Sequence, residues 1–406
     1  MSHTAANPHH FVDDGLARRN AVLLAAGQAL YSSSTVILIT SAGLVGQILA
    51  DDKGLATLPV STFVIGTALT TVPASLFMRR VGRRPGFIVG ALLGLVSALL
   101  AIYAVMAGDF WLFSLATACN GVYQAFAQYY RFAAADTASE AFKAKAISWV
   151  LIGGIVSAIL GPLIVMGTKD AFPPFLFVGS YAASGVLAIV AMSVLAFVKI
   201  PHRRPEPGGD GGRALSVLLR QPRLVVAVIC GMMSYGMMNL VMTATPLAMV
   251  GCGHTVNDAA WVIQWHVLAM YVPSFFTGQL INRFGVEKIV ATGMVFLAGA
   301  GFAALAGIGF GNFAAALIFL GVGWNFGFVG ATTMVTDCYK PAEKNRVQAV
   351  NDFAIFATVA VASLSSGKLL DAIGWDAVNL ALFPMIALVL AMLLWSGRGR
   401  IGRSAV

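Results

Sequence analysis

Apolar stretches of nearly constant length recur along this chain, broken by short polar or charged segments. Each runs for about 20 residues, the length a helix needs to cross the hydrocarbon core of a bilayer. Twelve such stretches occur, at approximately 21–45, 58–78, 86–107, 111–133, 146–167, 174–198, 223–250, 260–281, 288–309, 312–335, 347–370 and 377–396. The pattern therefore predicts an all-α membrane protein of twelve transmembrane helices. The longest polar break, Lys199 to Arg220, holds Pro205-Glu206-Pro207-Gly208-Gly209-Asp210-Gly211-Gly212 and reads as a flexible linker. It divides the chain into two six-helix bundles, 21–198 and 223–396, joined by a linker at 199–222 and flanked by tails at 1–20 and 397–406.

Composition agrees with the pattern. Hydrophobic residues make up 58% of the chain and charged residues 11%, with a mean hydropathy of +0.83; a soluble domain carries about 25% charged residues. The net charge of +9 would suit a nucleic-acid binder only if the basic residues formed one patch, and they lie between apolar runs instead. Of 26 Lys and Arg, only Lys53, Lys169 and Lys368 fall in odd-numbered loops. That asymmetry predicts a multi-pass membrane protein with both termini and the central linker in the cytoplasm. Residues 1–19 end in Arg18-Arg19 with no cleavage site before the first apolar run, so they read as a cytoplasmic tail. Four scattered cysteines make neither a disulfide framework nor a zinc site. No nucleophile–base constellation or cofactor motif is visible, so neither an enzyme nor a prosthetic group is expected.

An internal repeat supports the division into halves. Arg80-Val81-Gly82-Arg83-Arg84 follows span two, and Arg283-Phe284-Gly285-Val286-Glu287-Lys288 follows span eight. Asp136 and Lys145 after span four are echoed by Asp337 and Arg346 after span ten. On these residues the chain resembles the major facilitator superfamily over essentially its whole length. The family's cytoplasmic signature is kept in the second half as Gly278, Asn282, Arg283 and Gly285, with Asn in place of the acid. The first half keeps Arg80, Gly82, Arg83 and Arg84 but has Ser75 and Arg79 where Gly and Asp would stand. The resemblance implies alternating access by rocking of the halves, with spans one, four, seven and ten lining the path.

Charged groups inside a membrane are functional by default, and no Asp, Glu or Lys lies near the middle of any span. Two other chemistries remain. One is a soft metal cluster. Seven of sixteen methionines lie between Cys230 and Met270, with Met233/Met237 and Met238/Met242 spaced i,i+4 on span seven and His266/Met270 on span eight. Counted from the intervening loop, Met238, Met242, His266 and Met270 stand at matching depths, with Met233 and Met237 as an alternative register. Neutral thioether and imidazole ligands suit monovalent copper. The same residues resemble the CcoA-type copper importers, which carry Met-x-x-x-Met in span seven and His-x-x-x-Met in span eight. That resemblance implies import of copper, as the ion or a small complex, for cytochrome c oxidase assembly. It also implies copper chaperones as partners and a thiol role for Cys230 and Cys252.

The other chemistry is polar and aromatic. Span one carries Gln28 and Tyr31, span four Asn120, Gln124 and Gln128, and span ten Trp324 and Asn325. Lining a cavity, these side chains would suit a small organic solute such as a drug, a siderophore or a vitamin-like ring. Copper import is the leading expectation and organic-solute transport the alternative.

Overall fold

The computed structural model describes residues 14–136, 138–200, 213–340 and 343–401. The Pro/Gly-rich part of the expected linker, 201–212, and the outer parts of both expected tails lie outside the described residues. Every regular element among the described residues is a helix. The first half comprises α1 (Asp14–Leu49), α2 (Leu58–Val81), α3 (Arg83–Ala107), α4 (Phe110–Ala127) with its continuation α5 (Tyr130–Ala135), α6 (Glu140–Thr168) and α7 (Val178–Leu195). A single turn, α8 (Leu215–Leu218), precedes the second half. That half comprises α9 (Pro222–Gly251), α10 (Val256–Tyr271) with α11 (Ser274–Phe284), α12 (Val286–Leu305), α13 (Phe310–Thr336), α14 (Lys344–Ala372), and α15 (Trp375–Leu380) with α16 (Leu382–Ile401). Taking α4–α5, α10–α11 and α15–α16 as interrupted single crossings gives the twelve expected spans. Ten segments are long and apolar enough to cross a membrane unaided, and the α10–α11 pair, bent by 42°, makes an eleventh. The remaining crossing, α4, carries Asn120 and Gln124, which lower its hydropathy.

Local chemistry sets the breaks. Gly82 (φ 96°) and Gly285 (φ 91°) each end one helix and start the next in a conformation that disfavours any side chain. Asp109, Ser139 and Thr255 cap helix starts by accepting from backbone N–H groups, Thr255 in a reciprocal box with Asp258. Span eight breaks where Pro273 has no N–H to return to the preceding turn. Asn325 of α13 secures that break. Its amide donates to the Met270 carbonyl (2.7 Å) and to Ser274 Oγ (2.6 Å), and its oxygen accepts from Thr277 Oγ1 (2.6 Å).

The two halves repeat one another in packing detail. α4 approaches α2 through Gly121, where an added Cβ would strike the Phe63 carbonyl and the Thr67 N–H. α13 approaches α10 through Gly321, where it would strike the His266 carbonyl and the Met270 N–H. Gly121 therefore corresponds to Gly321, Phe63 to His266 and Thr67 to Met270. The charged echo at the even-loop end has a use in each half: Arg83 pairs with Asp136 (2.5 Å), and Arg223 pairs with Asp337 (2.9 Å).

The halves close against each other at the odd-loop end. The turn Lys53–Leu55 rests on the end of α14, with Gly54 near Lys368 and Asp371. Thr57 Oγ1 donates to the Ser363 carbonyl across the boundary (2.8 Å), and Gly43 of α1 abuts Leu247 of α9. At the even-loop end, Arg131 of α5 and Asp352 of α14 stay exposed while interacting electrostatically across the boundary. The boundary between the halves is therefore closed at the odd-loop end.

Candidate functional site

At mid-membrane, where the halves meet, the second half presents an aromatic wall. Trp324 and Phe328, one turn apart on α13, stack with ring centroids 5.1 Å apart and planes at 11°. Tyr235 of α9 stands edge-on to both, at 5.4 Å and 82° to Trp324 and at 5.1 Å and 78° to Phe328. Tyr235 and Phe328 lie between two apolar clusters, the second half's core and one that joins residues of both halves, among them Ile37 and Leu38 of α1 and Ile355 and Val359 of α14. From the first half comes Tyr31, held edge-on by Tyr123 at 4.9 Å and within electrostatic reach of the Tyr235 and Tyr271 hydroxyls. Tyr31 and Tyr235 each follow a glycine by one helical turn, Gly27 and Gly231, so the two tyrosines mark matching places on spans one and seven. Tyr271 completes the group, its ring against Gly154 of α6. Tyr235, Phe328 and Tyr271 were not singled out in the sequence. The Gly-x-x-x-Tyr echo between spans one and seven was the signal that would have found Tyr235.

The correspondence of Gly121 with Gly321 places Gln124 and Gln128 where Trp324 and Phe328 stand in the other half. Both glutamines are half-buried, and Gln124 Oε1 accepts weakly from Thr67 Oγ1 (3.4 Å). Gln28 donates to Ser32 one turn along its own helix (2.8 Å). The remaining polar residues expected on the path are turned elsewhere. Asn325 is fully buried and spends its whole amide on the span-eight break, so it does not line a cavity. Asn120 reaches Ser34 Oγ (3.5 Å) inside an enclosed pocket of the first half, beside Ser97, Thr117, Tyr181 and Ser184.

The residues of the expected methionine–histidine cluster sit in the helix contacts of the second half. α9 packs chiefly on α13 and α14, and α10 chiefly on α13 and α6, rather than along one another. His266 is fully buried; its Nδ1 bonds the Leu317 carbonyl of α13 (2.8 Å), while its Nε2 has no hydrogen-bond partner. Met237, Met238, Met242 and Met270 are buried in the second half's core, with Met233 packed at its edge. Cys230 is buried within the first third of α9 and Cys252, the C-cap of the same helix, is exposed; both are free thiols. Among the described residues no group of three or more His, Cys, Asp or Glu could hold a metal ion. In the loop motifs, Arg80 and Arg84 are exposed, as are Asn282 and Arg283, the latter lying over the Phe284 ring at 5.2 Å.

The chain belongs to the Major Facilitator Superfamily, whose family model matches residues 22–251 and again 227–404. It is accordingly a multi-pass membrane transporter and not an enzyme. Its relatives include the riboflavin transporter RfnT of Brucella anthropi, 50% identical over 384 residues that cover 94% of this chain and 96% of that protein. Solved structures of the same fold include the nucleoside transporter NupG (TM-score 0.72, 13% identity, covering 93% of this chain and 99% of that one). Another is the human organic anion transporter MFSD10 (TM-score 0.67, 14% identity, 93% and 99%). The relative at half identity corrects the leading expectation. Copper as cargo, copper chaperones as partners and a link to cytochrome oxidase assembly are overturned by a full-length likeness to a riboflavin transporter. The physical reason is that helical spacing brings thioethers together equally well for packing and for a metal.

Proposed function

We propose that this protein carries riboflavin, or a flavin of the same tricyclic class, across the bacterial inner membrane by alternating access. The working units are the six-helix bundles 21–198 and 223–396, joined by the linker 199–222. The observation that carries the reading is the stacked Trp324–Phe328 pair edged by Tyr235 at the boundary between halves, with Tyr31 opposite. A flat, largely apolar ring system gains both area burial and stacking against such a wall. The sequence likeness to a riboflavin transporter supports the same cargo. With both termini in the cytoplasm, as the basic residues favour, the odd-loop end where the halves close is periplasmic, as an inward-facing conformation requires. Tyr31, Gln28, Gln124, Gln128 and Trp324 then line the path.

Uptake of radiolabelled riboflavin by a bacterial riboflavin auxotroph lacking its own uptake system tests the reading. Cells producing this protein should accumulate label saturably, and unlabelled riboflavin should compete. No accumulation above cells without the protein, with the chain verified in the membrane, overturns it.

A further inference from the structure

The two faces of the path differ in a way that matches the two chemistries of a flavin, and the inference that follows rests on the flavin reading above. Parallel six-helix repeats are related by an axis along the membrane normal, so matching positions on spans four and ten look at the path from opposite sides. Trp324 and Phe328 supply flat apolar surface on one side. On the other side the same two positions hold Gln124 and Gln128. Among the described residues the Gln128 side-chain amide makes no hydrogen bond, and Gln124 uses only its oxygen, weakly, leaving its NH2 group unspent. These are two half-buried amides with donor and acceptor capacity left over. Burying them behind a substrate that offered nothing in return would be unfavourable.

The pyrimidine edge of a flavin ring presents an acceptor, a donor and an acceptor in a row: C2=O, N3–H and C4=O. A glutamine amide offers one acceptor and two donor hydrogens, so a single amide can bond N3–H and a neighbouring carbonyl together. A second amide one turn away can take the other carbonyl. We infer that Gln124 and Gln128 read the pyrimidine edge of the substrate while Trp324, Phe328 and Tyr235 hold its ring face, fixing one orientation of the flavin in the path. Recognition then demands an unblocked N3–H, which a purely apolar slot would not.

Quenching of flavin fluorescence by the purified full-length protein provides the test, with riboflavin and N3-methylriboflavin as probes. A bidentate amide contact discriminates by about 1–3 kcal/mol, so the methylated flavin should bind the unaltered protein about 5- to 150-fold more weakly than riboflavin. In the Gln124→Leu/Gln128→Leu double variant, riboflavin should weaken to the level of the methylated analogue and the preference should vanish. Equal binding of the two flavins by the unaltered protein overturns the edge assignment alone, with no dependence on how a variant folds. A preference that survives in the double variant also overturns it. Failure of riboflavin itself to bind overturns the transport reading, and this assignment with it.

Discussion

Spans four and ten meet spans two and eight through corresponding glycines, Gly121 in the first half and Gly321 in the second, yet beyond that contact they diverge. The first half continues with Gln124 and Gln128, and the second with Trp324 and Phe328. Their buried asparagines diverge as well. Asn325 is saturated and holds a broken helix, while Asn120 makes one long bond and leaves its oxygen unpaired. The difference teaches that the repeat conserves backbone approach, which the fold requires, and releases the side chains one turn further on. Two walls of unlike chemistry then enclose one path, and an asymmetric substrate can be held in one orientation.

The comparison breaks most visibly at the aromatic wall. Trp324→Ala removes the stacked partner of Phe328 and the edge contact of Tyr235. Stacking on an aromatic side chain is worth about 1–3 kcal/mol per ring, so riboflavin binding and uptake should fall about 5- to 150-fold. Trp324→Phe, which keeps a flat face, should recover part of the loss. Full uptake by the alanine variant would detach the wall from the cargo.

The buried asparagines give the next contrast, this time in stability. Asn325→Ala leaves the Met270 carbonyl and the Ser274 and Thr277 hydroxyls at the span-eight break without the partner they share. Unsatisfied buried groups are destabilising by about 1–3 kcal/mol each, although transmembrane hydrogen bonds average nearer 0.6 kcal/mol because partners re-pair. The expected loss is about 2 kcal/mol, read as a lower melting midpoint in detergent. Asn120→Ala discards one long bond and an unpaired oxygen together, and should shift the midpoint far less. Equal shifts would mean that the two asparagines do the same work despite their different partners.

Much of this architecture was legible in the sequence because the bilayer demands it. Twelve runs of spanning length, a Gly-rich linker and basic residues concentrated in the tails and even-numbered loops gave the helices and the two-fold plan. Gly82 and Gly285 were legible as members of the repeated loop motif, and their positive φ is what that motif needs glycine for. The site was less legible, and the reason is directional. Spacing showed that Met238 and Met242 share a face of α9, and that His266 and Met270 share a face of α10, but not which neighbour each face meets. The Leu317 carbonyl that takes His266 belongs to span ten, a contact remote in sequence. Asn325 was misjudged for the same reason, since its three partners lie near a proline break on another helix. Tyr235 sits among methionines of the same helix, and only the Gly-x-x-x-Tyr echo of span one sets it apart.

A smaller contrast concerns how each half ties its first crossing to its fifth. In the first half, Asp14 accepts from the Ser139 N–H and hydroxyl, both at 2.9 Å, a joint between a carboxylate and neutral donors. In the second, Arg213 grips Glu343 through Nε (2.8 Å), an NH2 group (2.7 Å) and its own backbone N–H (2.9 Å). The Arg213 side-chain hydrogen bonds, followed by the Lys340 N–H, hold the Glu343 carboxyl far below its ordinary value of 4.5. Because the folded pKa is depressed, this carboxylate stabilises the fold fully above the unfolded value, and that contribution declines as the pH falls below it. Melting midpoints of the parent and Glu343→Gln should therefore differ by a constant amount from neutrality down to about pH 5.5, then converge below about pH 4.5. Asp14→Asn, whose amide oxygen can still accept one of the two bonds, should produce the smaller shift at neutral pH. A Glu343→Gln gap that stayed constant into strong acid would show that the second joint works by packing rather than by charge.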